Sequence, residues 1–476
     1  MFRSTTDVKY YNSLNELNGE KIGIATGSTF DSIIKKKLKN VDLKYYDNEV
    51  DRISALRNGK IAAYVTDDAM ANEAIKNNND LTILNEPIGV ENYAYAIDPN
   101  NSELKEKFDK VLLDLKEDGT LDYLQKKWMG NNESKKKLEN IKLSGKNGTI
   151  NFGTLATSAP FSYLKDDKIV GYDIDLMLLI CDKLDYSLNI NVLDWNGLLT
   201  AVNVGKVDMA GCGIIVTEER EQSMLFSAPN YEGNVVAVVL KNTISDSNVV
   251  DNIKQNFINT FVKEDRYKLF INGTLTTLEI SILSIIFGTI LGIIVGIMRV
   301  SNKKIIKFIS KIFISFMQGM PITVLLLIMY YLIFVKTPLS AIAVSIITFS
   351  IYLSAYVAEM IRGGYEAINK NQIQAAYSIG FTKYQTVKYI IFPQIISYII
   401  PIYKGQVIST IKSTSIVGYI AIMDLTKIGD LIRSRTFDAF FSLIAVALIY
   451  LLICIMFQKL LEYIEKKVNK RKQVIV

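Results

Sequence analysis

Glu359, Arg362 and Lys404 stand in or beside the long uncharged runs of this chain. A charge there is costly in hydrocarbon, so these residues are candidates either for a translocation pathway or for packing partners inside a helical bundle. Other reactive constellations are absent. The 476 residues include no His, which removes Ser-His-Asp and Cys-His nucleophile arrangements, His general bases and His metal ligands. Cys181, Cys212 and Cys454 have no metal-ligand spacing and read as buried thiols. No Gly-x-x-x-x-Gly-Lys-Ser/Thr occurs, so the usual ATP-cradling loop is missing. The expectation is a non-enzyme: no catalytic residues, no metal and no cofactor. A net charge of +6 is modest, and the basic residues cluster beside apolar runs, which points to membrane orientation and away from nucleic acid.

The elements that must position such charges are membrane spans. With 49% hydrophobic and only 21% charged residues, the chain is too apolar for one soluble domain. From residue 268 the texture becomes long uncharged runs. Residues 280–298, 312–335, 337–358 and 439–457 carry no charge over 19 or more positions, enough to cross a core about 30 Å thick. A fifth run, 389–411, is interrupted only by Lys404. Arg299, Lys303, Lys304, Lys307 and Lys311, then Arg362, Lys370, Lys383 and Lys388, then Lys466, Lys467, Lys470, Arg471 and Lys472 fall in alternate loops. The positive-inside rule makes those loops cytoplasmic and the first 267 residues external. The start, Met1-Phe2-Arg3-Ser4, has no charged-then-apolar leader, which predicts a truncated or split gene. Gly288, Gly292 and Gly296 predict close approach of another helix, and Val250, Ile253, Phe257 and Phe261 predict an amphipathic connector over 243–267.

The polar part alternates β-rich and helical stretches twice, over 14–99 and 149–240, which predicts two α/β lobes. Here the motifs carry a resemblance. Ile24-Ala25-Thr26-Gly27-Ser28-Thr29, Ala63-Tyr64-Val65-Thr66-Asp67, Asp118-Gly119-Thr120 and Lys126-Lys127-Trp128-Met129-Gly130 resemble lobe two and the closing helices of type II periplasmic amino-acid-binding proteins. Pro160-Phe161-Ser162-Tyr163, Gly171-Tyr172-Asp173-Ile174-Asp175, Thr217-Glu218-Glu219-Arg220 and Phe226-Ser227-Ala228-Pro229 resemble lobe one. The order is inverted. Residues 1–99 are read as lobe two, 100–130 as return helices, 131–147 as a linker and 148–242 as lobe one. Either the pieces assemble as a circular permutant or 148–242 is a leftover duplicate half. An assembled unit is the expectation, because an orphan lobe exposes its apolar inter-lobe face.

A free amino acid needs a fixed anion opposite its ammonium and a fork of donors opposite its carboxylate. The resemblance implies Asp67 for the first and Arg220 for the second, with Thr26, Ser28 and Thr29 offering donors from a turn, Trp195 walling the side-chain pocket and Gly213 beside it. Structural alternatives stand beside each: Asp67 as a helix cap, Arg220 as a solvated charge among glutamates, Trp195 as core. Leu155, Ser158 and Ile215 replace an acid, an aromatic platform and a hydroxyl of the family.

Residues 268–460 resemble the permease subunits of polar amino-acid ABC importers, followed by a basic cytoplasmic tail at 461–476. The motifs are Gly273-Thr274-Leu275-Thr276-Thr277-Leu278, Gln318-Gly319-Met320-Pro321, Lys412-Ser413-Thr414-Ser415 and, most specifically, Gln374-Ala375-Ala376-Tyr377-Ser378-Ile379-Gly380 with Phe392-Pro393-Gln394 beyond it. The resemblance implies an ATPase-coupling helix with Gln374, Ala375, Ala376 and Gly380 in its motif, Gln374 standing where the family usually has Glu. The missing ATP-cradling loop implies a separate cytoplasmic ABC ATPase dimer, and five spans, few for a pore, imply a second permease subunit, a homodimer, as partners. The amino acid is left open among glutamine, glutamate and basic ones. A ligand-gated sensor or channel and a non-transporting remnant are the competing readings, and no Thr-Val-Gly-Tyr-Gly-like filter is present.

Overall fold

The computed structural model describes residues 9–166, 168–242 and 249–473. The Met1-Phe2-Arg3-Ser4 start and the side chain of Val250 lie outside that description. The chain forms two compact units, one reaching to Phe270 and including Ile428–Ile444, the other made of Ile271–Lys427 and the segment from Ala445 on.

The first unit opens with β1 (Lys21–Ala25), α1 (Phe30–Lys37), β2 (Asp42–Tyr46), α2 (Glu49–Arg57), β3 (Ala63–Asp67), α3 (Asp68–Asn77), β4 (Leu81–Ile83), β5 (Gly89–Tyr93) and β6 (Ala96–Ile97). Two helices follow, α4 (Ser102–Glu117) and α5 (Thr120–Met129). Then come β7 (Thr149–Thr154), β8 (Thr157–Ser158), β9 (Ser162–Lys165), β10 (Lys168–Val170), α6 (Tyr172–Lys183), β11 (Ser187–Val192), α7 (Trp195–Asn203), β12 (Met209–Ala210), α8 (Glu218–Glu221), β13 (Leu225–Phe226), β14 (Tyr231–Leu240) and α9 (Val249–Phe257).

These strands make two lobes that exchange material. The first sheet runs β2-β1-β3-β14-β4, with β5 also on β14; β1, β2 and β3 are parallel and β14 is antiparallel to its neighbours. The second runs β11-β7-β12-β6-β13, and β8, β9 and β10 form a small antiparallel sheet. Boundaries at 99 and 242 therefore do not coincide with the lobes: β6 joins the second sheet and β14 the first. β14 is apolar along Val235-Val236-Ala237-Val238-Val239, all buried, which suits a strand covered on both faces.

One core joins the two halves. Phe108, Leu112, Leu124 and Trp128 of α4 and α5 pack with Phe152, Tyr172, Ile174, Met177 and Ile180. α4 presents these groups because its apolar positions recur at helical spacing behind an Asn101 cap that accepts from the Leu104 N–H. Asp175 ties the assembly. Its Oδ2 accepts from Lys127 Nζ at 2.7 Å and Trp128 Nε1 at 2.8 Å, and its Oδ1 from the Glu139 N–H at 3.0 Å. The stretch 131–147 has no regular structure but is no loose tether: Lys136 is 2% exposed and pairs with Glu133 at 2.8 Å and Glu73 at 3.5 Å. In the connector, Phe257 and Phe261 stack on each other and on Phe441, so part of its apolar face is covered within this unit.

The remaining helices are α10 (Tyr267–Arg299), α11 (Lys304–Gly319), α12 (Ile322–Ile328), α13 (Ala341–Glu366), α14 (Lys370–Ser378), α15 (Lys383–Thr386), α16 (Phe392–Ser413), α17 (Leu425–Thr436) and α18 (Ala439–Gln473). Four described helices are long and apolar enough to cross a membrane. The run 312–335 is no straight span. α11 and the helix after it bend by 105° because Met320 is extended before Pro321, and proline disfavours the helical region for the residue ahead of it; counted as one span, the pair makes five. The basic tail is likewise not separate, since α18 continues to Gln473. The three glycines of α10 face α13: a Cβ on Gly288, Gly292 or Gly296 meets Leu353, Val357 or Ile361 at 3.0, 2.5 and 2.8 Å.

Candidate functional site

Thr26, Ser28, Thr29, Asp67, Trp195, Gly213 and Arg220 all line one cleft between the two lobes, a space of about 780 Å³ including its open mouth. Thr26, Ser28 and Thr29 lie on the turn from β1 to α1, which Gly27 makes with a φ of +72°. Their donors are unequally free. Ser28 spends its hydroxyl on the Ala25 carbonyl at 2.7 Å, whereas the buried Thr29 Oγ1 has no partner.

Asp67 ends β3 and caps α3, its Oδ1 accepting from the Met70 N–H at 2.8 Å. The cap and the cleft position coexist, because one carboxylate has lone pairs for both. Burial pushes its carboxyl up to about 6. Arg220 is half-buried while Glu218, Glu219 and Glu221 of α8 are exposed, so the solvated-charge alternative does not describe it. It donates to the carbonyls of Ile215 at 2.8 Å and Gly27 at 3.2 Å, the second on the opposite lobe, and stands 5.9 Å from the centre of the half-buried Trp195 ring. Burial lowers its guanidinium from the usual arginine value. Gly213 holds a φ of +65° beside the Tyr93 ring.

Leu155, Ser158 and Ile215 line the same cleft, so the second-sheet wall is poor in charge except for Arg220. Besides the exposed Asp47, the first-sheet wall has two charges that the motifs did not mark, Glu49 and Arg52. Glu49 opens α2 behind the Asn48 cap. Burial pushes its carboxyl up to about 7. The only signal for them in the sequence was their i, i+3 spacing on one helix face.

In the helical unit, Glu359 lies 2.5 Å from Arg362 and 3.9 Å from Arg299, and Arg362 also pairs with Glu366. Lys404 meets Glu465 of α18 at 2.5 Å, which explains how a lysine is kept in an apolar helix. On α14, Gln374 and Ala375 are exposed and Ala376 is buried at 1%. Gly380 follows the helix with a φ of +88°, a value that favours glycine. Tyr377 and Ile379 are exposed beside them at 48% and 73%.

Comparison with known proteins finds both kinds of domain, with matches that overlap over residues 288–338. Residues 288–470 match the inner membrane component of binding-protein-dependent transport systems, and residues 150–338 match bacterial extracellular solute-binding proteins, family 3. The probable amino-acid ABC transporter permease protein YckA of Bacillus subtilis (strain 168) is 33% identical over 45% of this chain and 97% of its own length. The probable glutamine ABC transporter permease protein GlnM of the same organism is 31% identical over 45% and 99%. A solved amino-acid ABC transporter with histidines is 31% identical over 47% of this chain and all of its own, with a TM-score of 0.41. Identity at that level over nearly the full length of such permeases means that the chain belongs to the amino-acid ABC transporter permeases, the membrane components of amino-acid importers, and carries a solute-binding portion on the same polypeptide.

Proposed function

We propose that the chain is both receptor and permease of an ATP-driven importer for a polar amino acid. The first-sheet lobe acts as lobe two and the second-sheet lobe as lobe one of a permuted receptor. Asp67 meets the ammonium, Arg220 the carboxylate, Thr26 and Thr29 supply donors, and Trp195 and Gly213 shape the side-chain end. One observation carries this reading: five residues from three separate motifs line a single cleft together with Trp195 and Gly213, with an acid on one wall and a guanidinium on the other. Such a cleft is concave, partly apolar and has few convergent polar groups, as small-molecule sites do.

In this reading the receptor is external and the end of α18 cytoplasmic, from the alternation of basic loops. Two copies pair, and α14 seats Gln374 and Ala375 in a separate cytoplasmic ABC ATPase dimer, transmitting its rigid-body motion. Glutamine, named for one relative, glutamate and basic amino acids are the substrate candidates. The test is ATP-dependent uptake of labelled amino acids into proteoliposomes holding the full chain and its ATPase. Accumulation lost in Asp67→Asn supports the reading; ligand binding without accumulation turns it into a sensor. A photo-cross-linker at Ala375, exposed where Ala376 is not, captures the ATPase if the coupling role is right.

A further inference from the structure

Three buried polar atoms of the cleft have no partner: Thr29 Oγ1, Glu49 Oε1 and Arg52 Nε. Buried polar groups are nearly always satisfied, so a cluster of exceptions on one wall calls for a guest. Glu49 is 9% and Arg52 3% exposed, and they stand three residues apart on α2. Arg52 is held in place, since its Nη1 donates to the Val65 carbonyl at 3.1 Å and its guanidinium lies 5.4 Å from the centre of the Tyr64 ring. No ion pair consumes either charge among the described residues.

Resting on the amino-acid-receptor reading above, we propose that Glu49 and Arg52 form the end of the cleft that reads the ligand side chain, and that they select one ending in a carboxamide. The carboxamide NH2 donates to Glu49 Oε1 and its oxygen accepts from Arg52 Nε. A carboxylate side chain meets Glu49 as a like charge, and an ammonium or guanidinium side chain meets Arg52 as one. An aliphatic side chain leaves both groups unpaired. The opposite wall, with Leu155 and Ile215, carries one charge, Arg220, which the ligand carboxylate engages. The pair thus supplies donor and acceptor together without a net charge, which suits a neutral amide.

The test is calorimetry on the full chain in nanodiscs with glutamine, asparagine, glutamate, arginine and norleucine. One of the amides binds tighter than the other three classes by about tenfold or more, and Glu49→Gln levels that preference. Arg52→Lys, which keeps the charge but not the Nε donor, weakens amide binding in the same way. If Arg52→Lys does not fold, the ligand series on the unaltered chain still decides. Preference for glutamate, arginine or norleucine, or an amide preference untouched by Glu49→Gln, overturns the subsite and leaves the receptor standing. Failure of every amino acid to bind removes the receptor reading and the subsite with it.

Discussion

Charges held away from water are kept in opposite ways in the helical unit and in the cleft of the receptor unit. In the helical unit Glu359, Arg362 and Lys404 are each answered by an opposite charge. In the cleft of the receptor unit, Asp67 and Glu49 have no ion-pair partner among the described residues and burial holds both carboxyls high, at about 6 and 7. A paired charge in an apolar surrounding is a solved packing problem. An unpaired one is a standing cost that a ligand relieves, and perturbed groups in a cleft are where function is sought. The comparison teaches that the same rarity, a charge out of water, has to be read through its partners.

The largest effect tests the frame that holds the cleft. Asp175→Ala orphans the Trp128 N–H and leaves Lys127, whose side chain is 5% exposed, to Glu139 alone. It destabilises the receptor unit by about 3 kcal/mol, read as the unfolding midpoint of the full chain; an unmoved midpoint breaks the idea that the two halves stand or fall together. Next is Asp67→Asn, which keeps a good helix cap and removes only the charge. Amino-acid binding weakens about 100-fold by calorimetry, and equal affinity makes Asp67 a cap and nothing more. On the helical side, Gly292→Ala drives a Cβ to 2.5 Å from Val357 and costs about 2 kcal/mol of thermal stability.

A smaller effect is the pH dependence. Because the Asp67 carboxyl sits at about 6, it loses its charge as the pH falls through that value, and the dissociation constant for an amino acid rises by up to about tenfold per pH unit from 7 to 5. Stability of the ligand-free protein runs the other way. Asp67 and Glu49 have folded-state values above their unfolded ones, so their contribution is full below about pH 4 and is lost as the pH rises to about 7. Parallel slopes for binding and stability refute the assignment. The smallest effect is at Lys404→Met. The pair with Glu465 is 23% exposed on each side, so the loss is under about 1 kcal/mol and uptake persists. Uptake abolished with stability intact would make Lys404 a pathway residue and erase the contrast between the units.

Much of this was readable in the chain. Uncharged run lengths give the apolar helices except for the bent pair at 304–333, and the family resemblance gives seven residues that share a cleft. What was hidden depends on long-range partners. Nothing near Lys404 announces Glu465, and nothing near 96–97 or 231–240 says that each strand crosses to the other sheet. The bend at Gly319-Met320-Pro321 had a local signal in its proline, outweighed by the apolar run around it. Glu49 and Arg52 were overlooked because an i, i+3 acid and base on a helix usually mark a wet face. Only the burial of α2 against the strands turns that face inward.

The place of β14 has a consequence during synthesis. Residues 231–240 sit between β3 and β4 in the first sheet, so that sheet cannot close until they have left the ribosome. Until then β3 offers a bare ladder of N–H and C=O groups, the kind of edge that pairs with strangers. A nascent chain halted anywhere between 98 and 230 is therefore cargo for chaperones and proteases, and a gene cut in that interval must deliver two products that find each other before either is safe.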